Sequence, residues 1–213
     1  MKLAAVLACL AIIVGCSSSC VKREGPPTVT GRQWVSNPSD AEIMPDVVPV
    51  YIDAEFTLDQ KASIIFAVND WNWTLNGYRQ YVIEDVSFRY EQSVLRRVVD
   101  TGQGLIVAIA DGKDWSNVPE NALAWVDDLG DPVVHVVVDR LGSRDLKTIM
   151  MHEMGHTLGV GHAGIRRSLM AGSYPDQPNC IDRLTVQMLA STRYGRFYHW
   201  SFNHMNYCVP EGQ

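Results

Sequence analysis

Residues 152 to 162 read HEMGHTLGVGH and hold three of the chain's six histidines. On a helix, His152 and His156 are four residues apart and project from one face a turn from each other, the geometry that lets two imidazoles bind one metal ion. Glu153 adjoins the first of them but points in another direction, which places it to reach a water on the metal and not the metal itself. Gly159 accepts the backbone reversal that brings His162 round as a third nitrogen. Three neutral imidazoles on one Zn2+ leave the fourth tetrahedral position for water, which marks a catalytic site and not a closed structural one. With Gly and His required at the further fixed positions, an accidental match falls to on the order of 10⁻⁵ per chain.

Such a site needs a helix to carry it and a scaffold to hold that helix. The stretch SRDLKTIMMHEMGHTLG predicts a long helix with Ser143 as N-cap and Gly159 as its stop. An earlier stretch, TLDQKASIIFAVNDWNWTLNG, spaces Thr57 and Gln60 as a capping box. It repeats Ile64, Val68, Trp71 and Leu75 at helical intervals and ends near Gly77. Strands are expected at VVPVYID, at residues 81–90, 104–110 and 132–139, with a weaker edge strand in NALAWVDD joined to the last by LGDP.

The chain has 213 residues, the size of one ordinary domain. Its first twenty, MKLAAVLACLAIIVGCSSSC, follow one basic residue with an apolar run too short to span a bilayer and then small residues, the layout of a secretory signal. Ile13-Val14-Gly15-Cys16 resembles the bacterial lipobox, which implies a signal peptide over 1–15, a lipidated Cys16 and a membrane anchor. Ser17 after that cysteine is compatible with outer-membrane sorting; a secreted protein with an incidental cysteine is the alternative. Residues 16–45 mix Ser, Gly, Pro and charge and are expected to be a flexible tether, leaving 46–213 as the domain and its tail. Without 1–15 the chain keeps 17 basic residues against 24 acidic ones, a formal net of −7, which argues against a nucleic-acid partner. Cys180 and Cys208 are the only cysteines of the folded part, and export favours their pairing as a disulfide over two buried thiols. Cys20 is left either a spare thiol or a cross-link.

HEMGHTLGVGH matches the HExxHxxGxxH of metzincin metallopeptidases, and SLMAGSY, with Met170 eight residues beyond His162, resembles their Met-turn. The resemblance implies that Met170 packs beneath the zinc without ligating it. The order of LIVAIADG, NALAWVDD, VVHVVVD, zinc helix, Met-turn and a last helix ending STRYG is most similar to the matrixins, over about residues 46–195. It implies an α+β fold: a twisted, mostly parallel sheet with one antiparallel edge strand, two long helices and a C-terminal helix. It further implies a zinc endopeptidase acting on proteins or peptides, with zinc-activated water and Glu153 as general base. Substrate would lie along the edge at Ala122, Leu123 and Ala124, and Tyr174 would form the wall of the pocket for the side chain after the scissile bond. Ala163 and Gly172 depart from the usual matrixin Ser and Pro, the loop for structural zinc and calcium is missing between residues 110 and 121, and no cysteine-switch propeptide is present.

Two other classes compete: a zinc-binding surface lipoprotein without turnover, which would not need Glu153, and a non-peptidase zinc amide hydrolase, which would differ only in its cleft. A monomer is expected. His135, in a valine-rich strand, reads as structural. Asp127, Asp128 and Asp131 read as a solvated turn, and calcium, though possible there, lacks a visible ligand cage.

Overall fold

The computed structural model describes residues 32–39, 46–89, 92–110, 121–174 and 177–209. The expected signal peptide, Cys16 and Cys20 lie outside them, as does the 111–120 part of the shortened loop.

Five strands form the main sheet: β2 (Asp46–Asp53), β3 (Arg79–Phe88), β4 (Leu105–Ile109), β5 (Ala124–Trp125) and β6 (Val133–Val136), in the order β3-β2-β4-β6-β5. All neighbours are parallel except β5 on β6, which are antiparallel, so the sheet is the expected one. The apolar runs LIVAI and VVHV belong to strands buried on both faces. Leu105, Val107, Val134 and Val136 face one core with the helices α1 (Leu58–Leu75) and α4 (Leu146–Thr157). Ile106, Ala108 and Val133 alternate to the other face and meet Val98 of α2 (Gln92–Thr101), a helix that the sequence reading did not anticipate.

The capping box forms as expected, with Thr57 and Gln60 exchanging side chain to backbone hydrogen bonds. Ile64, Val68, Trp71 and Leu75 are buried. The helix stops at Asn76, which takes the left-handed conformation (φ 47°) just ahead of Gly77. Two links fasten α1 to α4: Trp71 Nε1 donates to the Met151 carbonyl at 3.0 Å, and Lys147 Nζ lies 2.7 Å from the Asp70 carboxylate. Burial pushes the Asp70 carboxyl up to about 6, against the pull of Lys147.

Ser143 is not the cap of α4. Asp145 is, its carboxylate accepting from Lys147 N at 3.1 Å and Thr148 Oγ1 at 2.7 Å. A short helix α3 (Val138–Leu141) and Gly142, with φ 55°, occupy the chain just before Ser143 and delay the start.

The expected tether also needs correction. Within it, β1 (Gln33–Val35) pairs antiparallel with β7 (Tyr207–Val209). Trp34 meets the Trp73 ring edge-on at 4.9 Å, and Asn37 N–H donates to Asn206. The aromatic tail supplies a complementary edge that composition alone does not reveal. Cys180 and Cys208 form a disulfide beside this strand pair. The C-terminal helix is split into α5 (Arg183–Ser191) and α6 (Arg193–Phe197) by Thr192, which ends one and caps the other. Among the described residues, no helix is long and apolar enough to cross a membrane.

Candidate metal centre

His152 and His156 leave the same face of α4, with ring centroids 4.6 Å apart. Helix α4 ends as expected: Gly159 takes φ 81°, and its N–H donates to the His156 carbonyl at 2.9 Å. The chain then returns through Val160 to present His162, whose ring centroid lies 4.8 Å from that of His156 and 5.2 Å from that of His152. One ligating atom from each of the three histidines falls within 4.8 Å of the others.

The ring orientations follow from the backbone. His152 Nδ1 lies 2.6 Å from the Leu169 carbonyl and His156 Nδ1 2.7 Å from the Val160 carbonyl. A carbonyl accepts only from an N–H, so these contacts favour hydrogen on Nδ1 and a lone pair on Nε2. Nε2 of His156 and of His162 face each other at 3.2 Å. Two nitrogens held at the usual Zn–N distance in a tetrahedron would stand about 3.3 Å apart. The donor set and its spacing therefore fit a zinc ion held by His152, His156 and His162. Burial and the neighbouring His156 lower the His152 imidazole to about 3, and burial lowers His156 as well, so both are neutral at physiological pH, as metal ligands must be.

Glu153 is buried, and that burial pushes its carboxyl up to about 8 in the metal-free protein. It lines a cleft of about 420 Å3 together with the three histidines, Ala122 and Leu123, Ala124 of β5, and Tyr174. The candidates singled out in the sequence for catalysis and for substrate contact thus line one opening.

The edge strand is shorter than expected but open. Val137 N–H donates to the Leu123 carbonyl, so by antiparallel alternation Ala124 turns its N–H and C=O outward. The Ala122 carbonyl already accepts from Arg140 Nη1 at 3.1 Å. Tyr174, which lines the cleft, is tied to the start of α4 through its hydroxyl, which accepts from the Asp145 backbone N–H at 2.6 Å.

Met170 is fully buried beneath the zinc helix. A Cβ added to Gly155 would meet Met170 Sδ at 2.5 Å. Gly155, one of the unspecified positions of the histidine motif, is what lets the Met-turn approach, and the motif alone carries no signal for it. Gly155→Ala should cost roughly 1–3 kcal/mol by overpacking, despite the better helix propensity of alanine, a loss readable in urea unfolding.

Sequence reasoning missed two other residues. Asp182 is buried and accepts from Leu169 N–H at 2.7 Å, from Ser168 Oγ at 3.2 Å and from Thr185 Oγ1 at 2.8 Å, while also capping α5. Its position just ahead of a helical stretch is a cap signal, but its reach to the Met-turn is not visible in one dimension. Gln177 lines the cleft, with Nε2 2.8 Å from the Ala171 carbonyl and 2.9 Å from His152 Nδ1. No spacing rule points to it.

His135 lies on β6 between Val134 and Val136, whose side chains face the core that holds α4, so alternation points it to the opposite face. It stacks on Trp125 with centroids 4.8 Å apart. The Asp cluster bonds locally: Asp127 accepts from Trp125 Nε1, and Asp131 accepts from the Asp128 N–H.

The family model described as matrixin matches residues 53–188. The search of curated proteins found no match. Among solved structures, archaemetzincin from Methanopyrus kandleri is similar at 17% identity and a TM-score of 0.44, over 69% of this chain and 94% of that one. Metalloproteinase-II from Bacteroides fragilis is similar at 16% identity and a TM-score of 0.46, over 74% of this chain and 56% of that one.

Proposed function

The chain belongs to the matrixin family, and from that premise we propose that it is a zinc-dependent endopeptidase. The observation that carries the reading is the 3.2 Å approach of His156 Nε2 to His162 Nε2 on one wall of a cleft that Glu153 also lines.

Zinc, when bound by His152, His156 and His162, supplies a Lewis acid that activates water and polarises the scissile carbonyl. The rest is work for the chain's own residues. The outward N–H and C=O of Ala124 pair with an extended substrate, adding it to the edge of the sheet. Leu123 and Tyr174 flank the pocket that takes the side chain following the scissile bond. Glu153 accepts the proton of the attacking water and hands it to the leaving amine. Its burial makes it a strong base once ionised, which suits both halves of that transfer.

The decisive test uses residues 32–213, so that β1 stays in place, incubated with a diverse peptide mixture and read by mass spectrometry. Cleavage should stop when a chelator strips the metal and return with stoichiometric zinc. Zinc binding without cleavage of any peptide would instead favour a non-peptidase amide hydrolase or a binding protein.

Export and anchoring are part of the same proposal, supported by Ile13-Val14-Gly15-Cys16. In a bacterial host, labelled palmitate should enter the full chain and not a Cys16→Ala variant. Equal labelling of the two would remove Cys16 as the anchor.

A further inference from the structure

We propose that Gln177 is a positioning residue that competes with the Leu169 carbonyl for His152 and thereby loosens the grip of the site on its metal. His152 Nδ1 has the Leu169 carbonyl oxygen at 2.6 Å and Gln177 Nε2 at 2.9 Å. The identity of the amide nitrogen is set by its second neighbour, the Ala171 carbonyl at 2.8 Å, since an amide oxygen in that place would face another oxygen. The amide therefore gives one hydrogen to Ala171 and has the other for the imidazole.

A ring nitrogen has one in-plane site. If Nδ1 carries hydrogen it donates to Leu169, and the Gln177 amide then presses an N–H against an N–H. If Nδ1 carries a lone pair it accepts from Gln177, and the Leu169 carbonyl then faces a lone pair. Only the first tautomer leaves Nε2 free to bind a metal. Exchange between them moves one hydrogen from Nε2 to Nδ1 through water, with no change in net protonation. Leu169 thus favours the ligating form of His152, and Gln177 stabilises the form that cannot ligate.

Gln177 is well placed to make this matter beyond the ring. Its backbone N–H donates to the Tyr174 carbonyl at 3.0 Å, and both residues line the cleft. The wall of the substrate pocket and the tautomer of a metal ligand are joined through one residue, by its backbone N–H on one side and its side-chain amide on the other. His156 offers the internal contrast, because its Nδ1 meets the Val160 carbonyl and no competing donor is found beside it among the described residues.

The test uses residues 32–213 as wild type, Gln177→Leu and Gln177→Met, the methionine keeping the length of the side chain without either N–H. In the metal-free protein, long-range proton–nitrogen NMR of the His152 ring should show both tautomers in the wild type and the Nδ1–H form alone in the variants. This arm is independent of the zinc peptidase reading. In the second arm, which rests on that reading, competition with a fluorescent chelator should give zinc binding roughly two- to tenfold tighter in both variants, the worth of one hydrogen bond. Nδ1–H alone in all three proteins, or variants that bind zinc as the wild type does or more weakly, would overturn the proposal. A wild type that binds no zinc would instead sink the peptidase reading and leave the tautomer arm to decide this one.

Discussion

Glu153→Gln is expected to lower kcat/KM for peptide cleavage on the order of 100- to 10,000-fold while the protein still binds one zinc ion, because the amide keeps the shape of the side chain and removes its capacity to accept a proton. Stopped-time peptide assays beside metal analysis check it. Zinc retained with cleavage within tenfold of wild type would take the general-base role away from Glu153. The same substitution has a second signature in the metal-free protein. Burial raises the folded carboxyl to about 8, above its ordinary 4.5. A carboxyl whose folded value is raised favours the folded state fully below its unfolded value, and that contribution is lost as the pH climbs toward 8. Between about pH 4.5 and 8 this one group should therefore cost the metal-free wild type up to about 1.4 kcal/mol per pH unit, while the lowered His152 and His156 imidazoles act the other way below their ordinary 6.5. The stability of metal-free Glu153→Gln minus that of metal-free wild type should therefore grow with pH across this range, measured by urea unfolding of both at fixed temperature.

Helix α4, its stop at Gly159, the three histidines and the antiparallel edge were legible because local periodicity, fixed spacing and the LGDP turn carry them, whereas the parallel order of the other strands was implied by the resemblance to the matrixins. His152 and His156 meet because a helix repeats about every four residues, and the apolar runs of β4 and β6 signal strands covered on both faces. What could not be read depends on contacts between distant parts of the chain. Gly155 matters only because Met170 arrives beneath it. The segment around Trp34 looks like linker until the tail at Tyr207–Val209 offers it an edge. Ser143 and Asp145 are both acceptable caps by composition, and the choice falls to Asp145 because α3 and Gly142 consume the residues before it. Helix α2 was hidden for a related reason. Its visible core contribution, Val98, packs on the outer face of the sheet, so its identity as a helix depends on a partner far away in sequence.

Asp182 shows how much of the metal centre rests on residues that never reach the metal. Its carboxylate holds Leu169 N–H and Ser168 on one side and Leu184 N–H, Thr185 N–H and the Thr185 hydroxyl on the other. The Leu169 carbonyl, at the other end of the same residue, lies 2.6 Å from His152 Nδ1. Asp182→Ala would strand buried donors, each hydrogen bond to a charged group being worth about 1.5–3 kcal/mol, and would remove the α5 cap at about 1 kcal/mol. These losses overlap, so the expected cost is roughly 4 kcal/mol in urea unfolding. Asp182→Asn keeps one acceptor and should cost about half as much, whereas Ser168→Ala, which removes one buried donor to Asp182 and the acceptor of the Met170 N–H, should cost about 1–2 kcal/mol. If the carboxylate also sets the place of the Leu169 carbonyl, Asp182→Asn should weaken zinc binding by about tenfold, as loss of an outer partner of a metal-binding histidine does elsewhere. Full zinc affinity in a destabilised Asp182→Asn protein would confine this residue to holding α5 and the Met-turn together. Zinc affinity that falls while Ser168→Ala retains it would trace the effect through the one hydrogen bond that Asp182 makes to Leu169.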